Sequence, residues 1–100
     1  MYYIGIRPPS FNPDHKFEFD ESKSVKNKEK HGIDFEEAQR LWLDGRLVEI
    51  PARSDDEARS LVVGKIGEDH WAAIITYRGE KTRIVSVRRA RSKEIEIYEG

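Results

Sequence analysis

One hundred residues carrying a formal net charge of −1, with charged and apolar residues at 37% each, describe a single globular domain with a densely charged surface. The near balance of charge excludes the blunt argument that a basic chain binds nucleic acid, and the lack of cysteine excludes disulfides and thiolate metal sites while suiting a reducing compartment. Met1 to Arg7 offers neither a basic lead into a long apolar run nor a small-residue cleavage site, and no later run reaches membrane-spanning length, so a cytoplasmic protein without membrane association is expected.

In chain order, residues 1–14 hold three of the four prolines without periodicity, which predicts an N-terminal arm ahead of one domain at residues 15–100. Lys16-Phe17-Glu18-Phe19-Asp20 alternates polar and aromatic residues, as a half-buried strand does, and Asp20 can cap the helix that follows. That helix, Glu21 to His31, has only Val25 as a strong apolar residue among many lysines, so little of it can be core; it is a solvated or binding helix, stopped by a left-handed Gly32. Asp34 and Glu37 then form a capping-box pair for a second helix whose Phe35, Ala38, Leu41 and Trp42 share one stripe, closed by Asp44-Gly45.

The second half reads as a meander. Strands are predicted at Leu47 to Ile50, Leu61 to Ile66, Trp71 to Tyr77 and Thr82 to Arg88. An acidic exposed turn separates the first two, at Arg53 to Arg59, and Gly79-Glu80 suits a type II′ hairpin between the last two. A short helix ending near Tyr98 closes a β-α-α-β-β-β-β-α order, an α+β domain with a mostly antiparallel sheet. Whether the first strand pairs at an edge or across the sheet is open.

Chemistry concentrates in one stretch. Between Arg78 and Lys93 stand seven basic residues (Arg78, Lys81, Arg83, Arg88, Arg89, Arg91, Lys93) against Glu80 alone. Strict strand alternation puts Arg83, Val85, Val87 and Arg89 on one face and Ile84, Ser86 and Arg88 on the other. Arginine on both faces asks for anionic partners, because an unpaired buried guanidinium is costly. The plain structural alternatives are that Arg88 pairs with Glu94 or another capping carboxylate, that Arg78 and Arg83 make cross-strand pairs, and that Arg89 and Arg91 are solvated.

His15, His31 and His70 lack ligand spacing, so no metal is expected, and neither phosphate-cradling glycine loops nor nucleophile elbows occur. What remains is Arg, Lys, His, Glu and Tyr. That set suffices for metal-independent RNA cleavage, with no cofactor: a base takes the 2′-hydroxyl proton, cations offset charge on the phosphoryl oxygens, and an acid protonates the leaving oxygen. His31 is the best acid/base candidate by intrinsic pKa, although a histidine at a helix C-terminus also serves as a cap. Tyr98 packs on the sheet or turns its hydroxyl to a substrate. His70 beside a hairpin turn is expected to be exposed, Glu49 to point outward, and Trp42 and Trp71 to be core.

Two motifs resemble a known family. Asn27-x-x-Lys30-His31-Gly32-Ile33-x-Phe35-x-x-Ala38, followed by Arg83-Ile84-Val85-Ser86-Val87-Arg88-x-Ala90-x-x-x-Glu94-x-x-x-Tyr98, resembles the BrnT toxins of type II toxin–antitoxin systems, with Phe19-Asp20 fitting ahead of them. The resemblance implies a RelE-like ribonuclease fold, growth-arresting RNA cleavage, and neutralisation by a BrnA-type antitoxin that also binds operator DNA. RelE-like nucleases share no single catalytic set, so the resemblance does not name the base and the acid; read from the residues, Arg88 and Arg83 are expected on the scissile phosphate, His31 or Lys30 in acid/base work, Tyr98 orienting substrate, and Lys30, Arg78, Arg89 and Arg91 along the RNA. The arm at residues 1–14 precedes the usual start of such proteins, and Val87 stands where a smaller residue is common. The contrasting class is a non-catalytic module binding RNA or protein with the same basic face.

Overall fold

A computed structural model describes residues 16–52 and 58–100; the expected arm at 1–14 and most of the expected acidic turn, at 53–57, lie outside the described residues. The elements are β1 (Lys16–Glu18), α1 (Glu21–His31), α2 (Phe35–Ala38) continued by a 3-10 helix (Gln39–Leu43), β2 (Val48–Ala52), β3 (Arg59–Ile66), β4 (Asp69–Arg78), β5 (Lys81–Arg89) and α3 (Ser92–Glu99). This is the expected α+β order. Among the described residues the strands form one sheet, β1-β5-β4-β3-β2, antiparallel except where β1 runs parallel to β5 at the edge, Phe17 opposite Thr82. No described helix is long and apolar enough to cross a membrane.

Local chemistry accounts for the element ends. The Asp20 carboxylate accepts from the backbone N–H groups of Ser22 (2.8 Å) and Lys23 (3.2 Å), and Gly32 ends α1 at φ 82°, where a side chain would be strained. Asp34 accepts from Glu37 N (2.7 Å) while Glu37 accepts from Asp34 N (2.9 Å), completing the reciprocal cap of α2. Between β4 and β5, Gly79 has φ 60° and Glu80 does not have a positive φ, as a type II′ hairpin requires.

The sheet is covered on both sides. One face packs Val62, Ala73, Ile75, Ile84 and Val87 against Phe35, Ala38 and Leu41, with Trp71 buried at its margin and Trp42 half-buried, edge-on to Phe17 at 4.9 Å. The other packs Val48, Ile50, Val63 and Ala72 beneath Ile97 and the buried Tyr98 of α3. Fully burying one such aliphatic side chain contributes about 1.5–3 kcal/mol, so these two layers supply most of the cohesion.

Helix α1 docks differently. Its Val25 is 57% exposed and its buried residues are Ser24 and Asn27, in keeping with a helix that brings little apolar surface. The Ser24 hydroxyl accepts from Phe35 N at 2.9 Å. Asn27 goes further: its amide nitrogen donates to the carbonyls of Val87 (3.0 Å) and Ile33 (2.8 Å), and its amide oxygen accepts from Val87 N (3.2 Å). Since β1 pairs with Lys81 to Arg83, this edge of β5 has no strand at Val87 among the described residues, and the carboxamide takes the place of one.

The strict alternation expected along β5 is corrected here. Ser86 pairs with Ile74 but Ile84 pairs with Ile75, so Val85 is the extra residue of a β-bulge. One added residue inverts the phase of everything before it. Ile84 therefore joins Val87 on the α2 side, and Arg83, opposite Thr76, joins Ser86 and Arg88 on the α3 side instead of accompanying Val87 and Arg89. Glu49 also departs from expectation: half-buried, it receives the Tyr77 hydroxyl, 2.8 and 2.9 Å from its two oxygens.

Asn27→Ala would leave Val87 N–H and C=O buried without partners, an expected loss of about 2–4 kcal/mol and of roughly 10 °C or more in Tm for a domain of this size. Urea and thermal unfolding would measure it. A loss below ~1 kcal/mol would mean that water replaces the carboxamide.

Candidate functional site

The bulge sets Arg83, Ser86 and Arg88 in a row on the α3 face. Ser86 and Arg88, two residues apart, are separated by about 6.7 Å of strand. Arg88 lies where β5 turns into α3, and both of its terminal nitrogens meet Glu94: Nη1 donates to Oε1 and Nη2 to Oε2, each at 2.8 Å. Nη1 also donates to the Arg89 carbonyl at 3.1 Å. Glu94 is held in turn by the Arg91 N–H, 2.8 Å from Oε1, so one carboxylate starts α3 and aligns the guanidinium. The pairing with Glu94 anticipated as the structural alternative for Arg88 is thus present.

The other cations are arranged more loosely. Arg83 donates from Nη1 to Glu18 on β1 at 2.9 Å, a half-buried pair. Arg89, on the opposite face, lies over the Trp71 ring at 5.0 Å and donates to Asp69 at 3.2 Å. Arg78, Arg91 and Lys93 are exposed. Beside Glu94, a groove of about 420 Å³ has Ile50, Leu61 and Ile97 as its apolar floor and Arg91, Ser92 and Lys93 along its rim.

Among the described residues the remaining sequence candidates are not tied to this row by hydrogen bonds or ion pairs. Lys30 is exposed and His31 half-buried at the end of α1, and among the described residues neither is hydrogen-bonded or ion-paired with Arg83 or Arg88. Tyr98 is 6% exposed and its hydroxyl donates to Asp44 at 2.6 Å. His70 is half-buried instead of exposed: the short Gly67-Glu68 turn brings it under the last turn of α3, where Nε2 is 2.8 Å from Glu99 and its ring meets Tyr98 edge-on at 5.4 Å. Among the described residues no three histidines or carboxylates converge on a point where a metal ion could be held.

These contacts set the charge states. The hydrogen bonds from Arg88 hold the Glu94 carboxyl below the usual carboxylate range, outweighing its burial, and Glu94 raises Arg88 in return. Burial, then the bond to Asp44, pushes Tyr98 up to about 12, so its hydroxyl stays a donor at neutral pH. Burial opposes ionisation of Asp44, yet the donors Tyr98 O–H, Lys65 N–H and Arg46 N–H together hold its carboxyl low. The bond from Tyr98 to Asp44 and the strand-like role of Asn27 went unassigned in the sequence; Glu94 was assigned as an alternative partner of Arg88, and its place three residues after Arg91 also marks a helix start.

Against this geometry, a family model described as "Ribonuclease toxin, BrnT, of type II toxin-antitoxin system" matches residues 19–94, about three quarters of the chain. The match takes in α1 through Glu94, and Tyr98 falls beyond it. No curated protein matches the chain.

Because the Glu94 carboxyl is depressed in the folded state, its pair with Arg88 contributes fully above the range where an unfolded glutamate ionises, ~4.3, and is lost as pH falls through the lower folded-state value. Urea unfolding from neutral pH downward is expected to show the wild type losing stability faster than Glu94→Gln, the gap closing as Glu94 protonates. A gap constant with pH would show that the charge of Glu94 does not matter.

Proposed function

The chain belongs to the BrnT ribonuclease toxins of type II toxin–antitoxin systems, and on that premise we propose that it is a metal-independent endoribonuclease of the cytoplasm whose RNA cleavage arrests growth. In this reading a BrnA-type antitoxin neutralises it, and operator DNA is bound only through that antitoxin. The supporting observation is the row that the Val85 bulge creates, with Arg83 and Arg88 on one sheet face, each oriented by a carboxylate and each with N–H donors to spare among the described residues.

Arg88 and Arg83 bind the non-bridging oxygens of the scissile phosphate, where guanidinium forks match the geometry and offset the charge that grows in the transition state. A base removes the 2′-hydroxyl proton, the 2′-oxygen attacks phosphorus, and the 5′-oxygen leaves with a proton from the acid. His31 or Lys30 supplies this acid/base work when RNA bridges the edge of β5. Arg78, Arg89, Arg91 and Lys30 follow the flanking phosphates, and the groove beside Glu94 offers a neighbouring base an apolar floor. Tyr98, its hydroxyl committed to Asp44, serves by packing α3 and does not touch the substrate.

A second reading, a non-catalytic RNA- or protein-binding module on the same face, draws on the arginines being hydrogen-bonded to carboxylates, with no hydrogen bond among the described residues from His31 or Lys30 to either. Incubating the purified protein with RNA in excess chelator, beside Arg88→Ala shown by circular dichroism to be folded, decides between the two. The expected outcome is cleavage by the wild type and a roughly ten- to hundredfold slower reaction by the variant, the effect of losing one charge-assisted contact of ~1.5–3 kcal/mol. No cleavage of free RNA or of RNA on translating ribosomes would favour the binding module.

A further inference from the structure

The environment of Arg88 contains more than a salt bridge. A guanidinium carries five N–H donors in one plane. Glu94 takes one from each terminal nitrogen, and the Arg89 carbonyl takes the second from Nη1. Two donors are left, Nε–H and the second N–H of Nη2, and stereochemistry places them side by side along the edge that the carboxylate does not occupy. Among the described residues neither has a partner. Two parallel N–H groups on one edge form the fork that accepts two phosphate oxygens.

Holding that fork still is the task of the carboxylate. Arginine is long and flexible, so a phosphate that met it unpaired would have to freeze its rotamers on binding. Glu94 has already frozen them, and is itself fixed by the Arg91 N–H at the start of a helix packed on the sheet through Tyr98. The carboxylate occupies the Nη1/Nη2 edge and the free Nε/Nη2 edge adjoins it at Nη2, so the guanidinium charge lies close to both and offsets that of Glu94 for an anion bound there.

We infer that Glu94 is a positioning residue for the reaction: it presents Arg88 to a phosphodiester with the Nε/Nη2 edge free and in a single orientation. The inference rests on the ribonuclease reading, in which Arg88 is the group that meets the scissile phosphate. Glu94 itself touches no substrate and transfers no proton.

A double-mutant cycle on cleavage of a short RNA tests it, with Arg88→Ala, Glu94→Ala and the double variant, each checked by circular dichroism. Glu94→Ala is expected to slow cleavage about tenfold, mainly in kcat, and the double variant to be no slower than Arg88→Ala within about twofold, since Glu94 has nothing to position once Arg88 is gone. Multiplying losses would mean that Glu94 acts apart from Arg88, through α3 or the fold, and would overturn the inference. Glu94→Gln guards against misfolding, because its amide oxygen can still accept from the Arg91 N–H while the matched two-oxygen fork is lost; it too is expected to slow cleavage. Wild-type rates in both Glu94 variants would refute the positioning role and leave the ribonuclease reading standing, whereas a wild type that cuts no RNA would remove both.

Discussion

The carboxamide of Asn27 on the backbone of Val87 is the contact from which the rest of the arrangement follows. A helix as polar as α1 has no apolar stripe with which to hold itself against a sheet, and among the described residues β5 has no strand on its β1 side beyond Arg83. Each deficit answers the other. The amide group carries a donor and an acceptor at nearly the spacing of a strand residue, so it satisfies Val87 and, with its second proton, fixes the Ile33 carbonyl just past the helix stop. An apolar residue of the same size would leave three backbone groups without this partner, the Val87 N–H and C=O and the Ile33 C=O. With this edge closed, β5 is held on both sides, and its bulge, its arginines and its exit into α3 have fixed places.

The charge balance of the protein is solved on the same strand. A chain with net charge −1 carries a dense run of arginines by bringing carboxylates to them from far away in sequence: Glu18 reaches Arg83 across 65 positions, and Asp69 reaches Arg89 across 20. The more exposed of these, Arg89 with Asp69, adds little stability. The value of both lies in geometry, since a cation tied at one nitrogen still offers donors to an anion from solution. The pair of Arg88 and Glu94 is the most ordered, being the least exposed and the only one among these three with two parallel bonds.

Much of this was legible in the residues. The caps at Asp20, Asp34 and Gly32, the Gly79-Glu80 hairpin and the element order follow from local chemistry that acts within a few positions, and local rules read them correctly. The faces of β5 were not legible, because Arg83 to Arg89 contains no glycine to mark the irregularity and a bulge at Val85 depends on how β4 closes against it. Glu49, His70 and Tyr98 show the same limit. Each finds its partner in a distant element, respectively Tyr77, Glu99 and Asp44, and no pattern along the chain names that partner. Composition located the arginines; only the tertiary fold shows which carboxylate each one meets.

The parallel pairing of β1 with β5 has a temporal side. On the ribosome β1 is made early, and the strand it pairs with emerges more than sixty residues later, after β2, β3 and β4. Contacts of such long sequence separation form late, because the loop must close before they return any energy. Until β5 is threaded between β1 and β4 there is no ordered row of arginines and no anchored α1. The row of arginines and the docking of α1 therefore both depend on β5, the last strand of the sheet to be made.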